Sequence, residues 1–192
     1  MSKVKFKQIQ RRSELIEKLI PYLNSTPFDE LSVADICRAA EISIGSFYHY
    51  FNKKSDLLVG LLSLIDDYMA DEVFPLLTDE DELVNIKRFA HEWAIYVNTH
   101  GIDRSKLISG APPFNIDYNG NKRLSIIKLE NIIAAGQNKL QITSAYGADI
   151  LAEYILLSVR AVTSDWSRHD GSYDIVARMD AYISFIILAL KP

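Results

Sequence analysis

Between positions 48 and 54 the chain places Tyr48, His49, Tyr50, Lys53 and Lys54, a cluster of hydroxyl, imidazole and ammonium donors with no acid among them. Such a set suits nucleic-acid phosphates, whose oxygens accept hydrogen bonds and attract cations. Just upstream, Ser43-Ile44-Gly45-Ser46 puts small residues where a helix would begin. A helix start of that kind can approach a groove or a phosphate closely. Other chemistry is poorly provided for. His49, His91, His100 and His169 show no metal-ligand spacing with one another or with Cys37, so neither metal nor cofactor is expected. Phosphate loops, dinucleotide fingerprints and nucleophile elbows do not occur. Asp66-Asp67 and Asp71-Glu72 imitate a carboxylate pair and read as a solvated helix face. An enzyme is therefore not expected.

The elements that must position the donor cluster follow from capping and periodicity. Residues 32–51 read SVADICRAAEISIGSFYHYF. Ser32 suits the N-cap of a helix over 33–40, and Ser43 that of a short helix over 44–50. Cys37 and Ala40 are small enough for two helices to cross steeply, and Val33, Ile36, Ile42 and Phe47 form an apolar seam between them. This is a helix-turn-helix pattern. A preceding helix is predicted over 7–23, with Pro21 expected to kink or shorten it. A fourth helix spans about 53–72. Five more are predicted: one capped near Thr78-Asp79-Glu80-Asp81 and ending near Gly101, a short one before Ala111-Pro112-Pro113, then 122–135, 145–168 and, capped by Ser172, one reaching Leu190. The expected fold is all-α, with about nine helices.

Composition agrees with a folded globular chain of modest size. The 192 residues are 48% hydrophobic and 24% charged, ordinary globular usage. Residues 1–56 carry nine Lys+Arg against seven Asp+Glu, and the rest twelve against eighteen. Lys3, Lys5, Lys7, Arg11 and Arg12 open the chain without an acid, so a polyanion partner is expected at one end only. A single cysteine, no signal-peptide pattern and no apolar run longer than 183–190 point to a cytoplasmic protein without a membrane span.

Tyr48, Phe51, Lys54 and Leu57 meet the pattern Tyr-x-x-Phe-x-x-Lys-x-x-Leu after a capped helix pair, and here the chain resembles the TetR family of transcriptional regulators over about residues 12–65. The resemblance implies a DNA-binding domain over 1–52 and an effector-binding and dimerisation domain over 53–192. It implies that Ile44 faces bases, that Ser46 bonds a base edge or phosphate, and that Gly45 allows close backbone approach. Tyr48, His49 and Tyr50 would line phosphates and Lys54 would grip another, with Ser32, Ser43 and Lys53 in the same DNA-facing set. Lys5, Lys7 and Arg11 would add backbone contacts. The chain departs from the family pattern at Glu41 and Pro27, where glycines are usual.

The last two predicted helices are apolar on more than one face, so a second copy of the chain is expected to cover the excess. Ile155, Val162, Tyr182, Ile183, Ile186 and Leu190 are the expected dimer residues. Phe89, Trp93 and Tyr96, faced by Phe74, Phe114, Ile126, Ile127 and Tyr154, could line an apolar ligand cavity; plain core packing fits the same residues. The expected function is a DNA-binding regulator, a repressor released by a small apolar or aromatic molecule. A dimeric helical adaptor, or a ligand-binding protein without effector-controlled DNA binding, remains open.

Overall fold

In a computed structural model of the chain, residues 3–109 and 122–192 are described, the side chains of 3–10 and of Asn24 excepted. Eight α-helices form this part: α1 (Lys3–Ser25), α2 (Val33–Ala40), α3 (Ile44–Tyr50), α4 (Asp56–Tyr68), α5 (Glu82–Ser109), α6 (Leu124–Asn138), α7 (Ala148–Arg168) and α8 (Ile175–Leu190). α1 does not stop at Pro21 but continues to Ser25. Ile16, Leu19 and Leu23 hold it down as one buried stripe, and burial of that stripe outweighs the loss of one backbone hydrogen bond. Regular helix in α4 ends at Tyr68. A π-turn over Met69–Val73 and a 3-10 turn over Phe74–Leu76, which holds Pro75, take up the remainder of the predicted fourth helix.

α5 crosses the middle of the body, packed by α4, α6, α7 and α8, and α7 lies between α6 and α8. Gly101 breaks α5 with φ 82° and ψ 174°, a conformation that an L side chain adopts only under strain. The two arms correspond to the fifth and sixth predicted helices. The Pro112-Pro113 loop and Phe114 lie outside the described residues. Asp174, not Ser172, caps α8, accepting from Val176 N at 2.9 Å and Ala177 N at 3.1 Å.

One reading of the acids is corrected. Asp66 is buried and paired with buried Arg123, whose Nε and Nη2 each donate to its carboxylate at 2.8 Å, and Ser125 donates to the same group. Asp66 follows Leu58 and Leu62 at helical spacing, so it lies on the inner stripe of α4, where an unpaired charge would be costly. Among the described residues no helix is long and apolar enough to cross a membrane.

Candidate nucleic-acid interface and effector cavity

Local hydrogen bonds shape the helix-turn-helix. Ser32 and Asp35 form a reciprocal capping box: Asp35 N donates to Ser32 Oγ at 3.2 Å and Ser32 N to Asp35 Oδ2 at 3.1 Å. Donation from the Ser32 hydroxyl, and next from its backbone N–H, holds the Asp35 carboxyl below its ordinary pKa. Glu41 ends α2 in the left-handed region, φ 58° and ψ 42°. Lys18 on α1 spans the departure from glycine there, donating to Ala40 O at 3.1 Å and Glu41 Oε2 at 2.7 Å. The same bond lowers the Glu41 pKa and neutralises the one acid in the turn. Ser43 then caps α3, accepting from Ser46 N at 3.0 Å.

Only Phe47 of α3 is buried, against Phe51 with ring centres 5.2 Å apart. The opposite face is free: Ile44 and Tyr48 are each 53% exposed, and Ser43, Gly45, Ser46 and His49 are exposed beside them. A Cβ on Gly45 would meet only Ser43 Oγ, at 3.8 Å, so nothing in the protein's own packing requires glycine there. Tyr50 is half-buried and its carbonyl accepts from Arg12 on α1. Ser32, Lys53 and Arg11 are exposed on the same small domain. The Lys5 and Lys7 side chains lie outside the described residues.

Lys54 has another role than the one expected. Its ammonium donates to the carbonyls of Phe28 at 2.8 Å, Leu31 at 2.9 Å and Asp29 at 3.3 Å, and lies 4.7 Å from the Phe28 ring centre. All three donors of the amine are thereby used to hold the α1–α2 linker, which leaves none for a phosphate.

The body contains a cavity of about 300 Å³ between α4, α5 and α7. Ile65 lines it from α4, Trp93, Ile108 and Ser109 from both arms of α5, and Leu157, Arg160 and Ser164 from α7. Of the expected pocket residues that the structure describes, Trp93 alone lines this cavity. Phe89 is fully buried, packed between Phe74 and Trp93. Tyr96 is buried too, and its hydroxyl accepts from Arg104 at 2.9 Å. Ile127 and Tyr154 are exposed, because they sit on the outer faces of α6 and α7.

The expected dimer residues divide in the same way. Ile155, Val162, Ile183 and Leu190 are buried within the chain and Ile186 is half-buried, because α5 and α6 take the inner faces of α7 and α8. The face left open consists of Ile150, Tyr154, Leu157 and Ala161 on α7, spaced four, three and four apart, with Tyr182, Phe185 and Leu188 on α8. Tyr154 is 55%, Phe185 70% and Leu188 63% exposed.

The two units are joined chiefly through α1, α4 and α5. Arg104, buried after the Gly101 break, donates to Glu17 of α1 at 2.6 Å while holding Tyr96. Neither this pair nor Arg160 carries a motif. Arg160 could have been noticed from its place beside Leu156, Val159 and Thr163, on the edge of the buried stripe of α7.

A capped helix pair with an exposed second helix, set on a helical body with a cavity, has the form of a helix-turn-helix head on a larger helical unit. Residues 23–61 match the family described as bacterial regulatory proteins, tetR family. The chain is 36% identical over 56 residues to the transcriptional regulator AcuR of Cereibacter sphaeroides, a match covering 29% of this chain and 26% of that relative. The fold is similar to that of FadR from Bacillus subtilis in complex with stearoyl-CoA (TM-score 0.65, 14% identity, 95% of this chain and 97% of the other). It is also similar to NalD, the secondary repressor of the MexAB-OprM multidrug efflux pump in Pseudomonas aeruginosa (TM-score 0.65, 13% identity, 99% and 98%). The match to the tetR family covers the helix-turn-helix and the start of α4, and over the rest of the chain the likeness is one of fold.

Proposed function

We propose that the protein is a cytoplasmic homodimeric repressor that binds operator DNA through α3 and leaves it when a small, largely apolar molecule occupies the cavity behind Trp93. Residues 1–52 act as the DNA head and 53–192 as the effector and dimer body, with α4 belonging to the packing of both. The observation that carries the reading is the α3 surface: Phe47 anchors the helix, while Ile44, Gly45, Ser46, Tyr48 and His49 are left outward with no acid among them. Ile44 suits a thymine methyl, Ser46 a base edge or phosphate, and Tyr48, His49 and Lys53 the backbone. Few side chains on this face can read bases, so sequence-dependent DNA shape supplies part of the specificity.

The second copy would cover the open face of α7 and α8, where Ile150, Tyr154, Leu157, Tyr182, Phe185 and Leu188 are exposed. An isologous pair built on it would present two heads to successive major grooves. That FadR was crystallised with stearoyl-CoA and that NalD is named a repressor support the ligand and the sign of regulation. The test is a gel shift with DNA flanking the protein's own gene. Retarded DNA that is competed away by the same unlabelled fragment, and lost in Ile44→Asp, is the expected result. Absence of any specific fragment, with a folded dimer in solution, would leave an adaptor as the better reading.

A further inference from the structure

The polar groups around the Trp93 cavity are all donors or hydroxyls. Arg160 brings a guanidinium from α7, and no ion-pair partner faces it among the described residues. Burial, together with the nearby positive charge of Arg123, presses the Arg160 pKa below its usual value, so the site makes this cation harder to keep. Trp93 is 1% exposed, lines the cavity, and its Nε1–H has no hydrogen-bond acceptor among the described residues. A buried N–H without an acceptor costs about 1–3 kcal/mol, the desolvation that a bound acceptor would recover. Ser109 and Ser164 add hydroxyls, and among the described residues no Asp or Glu lines the space. The remaining walls, Ile65, Ile108 and Leu157 among them, are apolar. Arg123 itself is committed to Asp66, so the surplus charge belongs to Arg160.

We infer that this cavity takes an anion-headed amphiphile: a carboxylate or phosphate held by Arg160 and Trp93 Nε1–H, with an apolar body of about a dozen heavy atoms against Ile65, Ile108 and Leu157. The inference rests on the proposal that the cavity is the effector site and names the chemical class it accepts. It departs from the expectation of a purely apolar or aromatic effector, because that expectation rested on the aromatic residues, and Arg160 stands on α7 outside that set. A guanidinium is suited to either head group, since its planar fork donates two parallel bonds to carboxylate or phosphate oxygens.

The experiment uses the full-length, DNA-free protein and calorimetric titration with octanoate against octanamide, 4-phenylbutyrate against 4-phenylbutanamide, and octyl phosphate against octanol. Thermal shift is the second readout. Within at least one pair the anion is expected to bind about ten- to a hundredfold more tightly than its neutral twin, the range of a charge-assisted hydrogen bond. Arg160→Gln should abolish that gap, Arg160→Lys should keep part of it, and Trp93→Phe should weaken the anion several-fold and its neutral twin less. Preference for octyl phosphate or for the carboxylates tells which head group the site is built for. Neutral twins binding as tightly as the anions would overturn the inference. So would failure of all three anions to bind at millimolar concentration, or an unchanged anion affinity in Arg160→Gln. Should the Arg160 variants fail to fold, the wild-type pairs still decide. Operator release is read separately: anions that bind without affecting DNA would refute the effector proposal and leave the anion site standing.

Discussion

Replacing Lys54 with alanine separates a structural lysine from a phosphate contact. Its ammonium closes three hydrogen bonds to the carbonyls of Phe28, Asp29 and Leu31 and lies over the Phe28 ring. A hydrogen bond to a charged group contributes about 1.5–3 kcal/mol when enclosed. Here the lysine is only partly buried and the carbonyls of the linker regain water when it is removed, so the loss for the whole set is about 2 kcal/mol. For a chain of this length that is a fall in Tm of roughly 4–8 °C. DNA binding should respond differently. A phosphate contact contributes about 0.9 to the slope of log affinity against log salt. Because Lys54 has no donor to spare, Lys54→Ala should keep the wild-type slope when measured well below its Tm. Lys53→Ala, at the exposed neighbouring position, should lower the slope by about 0.9 and leave Tm unchanged. The measurements are differential scanning calorimetry and fluorescence anisotropy on one operator at four salt concentrations. A Lys54→Ala protein with wild-type Tm and a slope reduced by about 0.9 would refute the assignment.

Three further outcomes are expected. Asp66→Ala removes one member of a pair in which both partners are buried, stranding the Arg123 charge, and should cost about 3–5 kcal/mol in denaturant unfolding; the double replacement Asp66→Leu with Arg123→Met should recover most of it, and a single variant within 1 kcal/mol of wild type would sink the argument. Phe185→Asp should convert a sedimenting dimer to monomer at micromolar concentration without unfolding it, whereas Ile155→Ala should lower stability and leave association intact, since one side chain faces outward and the other inward. Burial and the bond to Asp165 push the Tyr173 phenol up to about 12, so its neutral form is favoured by folding; that contribution is whole below pH 10 and disappears as the pH rises toward 12. A tyrosinate absorbance titration should show a late step near 12 that vanishes in Tyr173→Phe.

The head was largely legible in the sequence because its determinants are local. Ser32, Ser43, the seam residue Phe47 and the spacing to Phe51 act within a few positions of one another, and capping and periodicity read such short-range relations directly. Lys54 was misread because its partners lie more than twenty positions away, and composition does not tell whether a lysine's donors face carbonyls or solvent. The body was legible in its helices and not in their faces. α7 and α8 are apolar almost all round, so a periodic pattern cannot say which stripe turns inward; Ile155 and Ile183 went to the core, and Tyr154 and Phe185 were left outside. Asp66 and Arg123, 57 positions apart, form a contact of a kind that only the packed chain discloses. The same holds for Arg160, whose meaning comes from Trp93 on another helix.

Gly101 divides α5 into two arms joined by one pair of torsions, and this makes the helix a lever with a fulcrum. Trp93 belongs to the long arm; Ile108 and Ser109 belong to the short one, as does Arg104, which grips Glu17 on α1. The short arm extends about 12 Å beyond the glycine, at 1.5 Å per residue. A rotation of about 10° there would carry its far end through roughly 2 Å, and α1, itself part of the proposed DNA head and some 34 Å long on the same rise, would amplify the tilt along its length. On the proposed mechanism, the gearing ratio between cavity and head would be set by where along the helix the glycine stands. Moving the break by one turn would lengthen one arm at the expense of the other without altering a single residue that touches ligand or DNA.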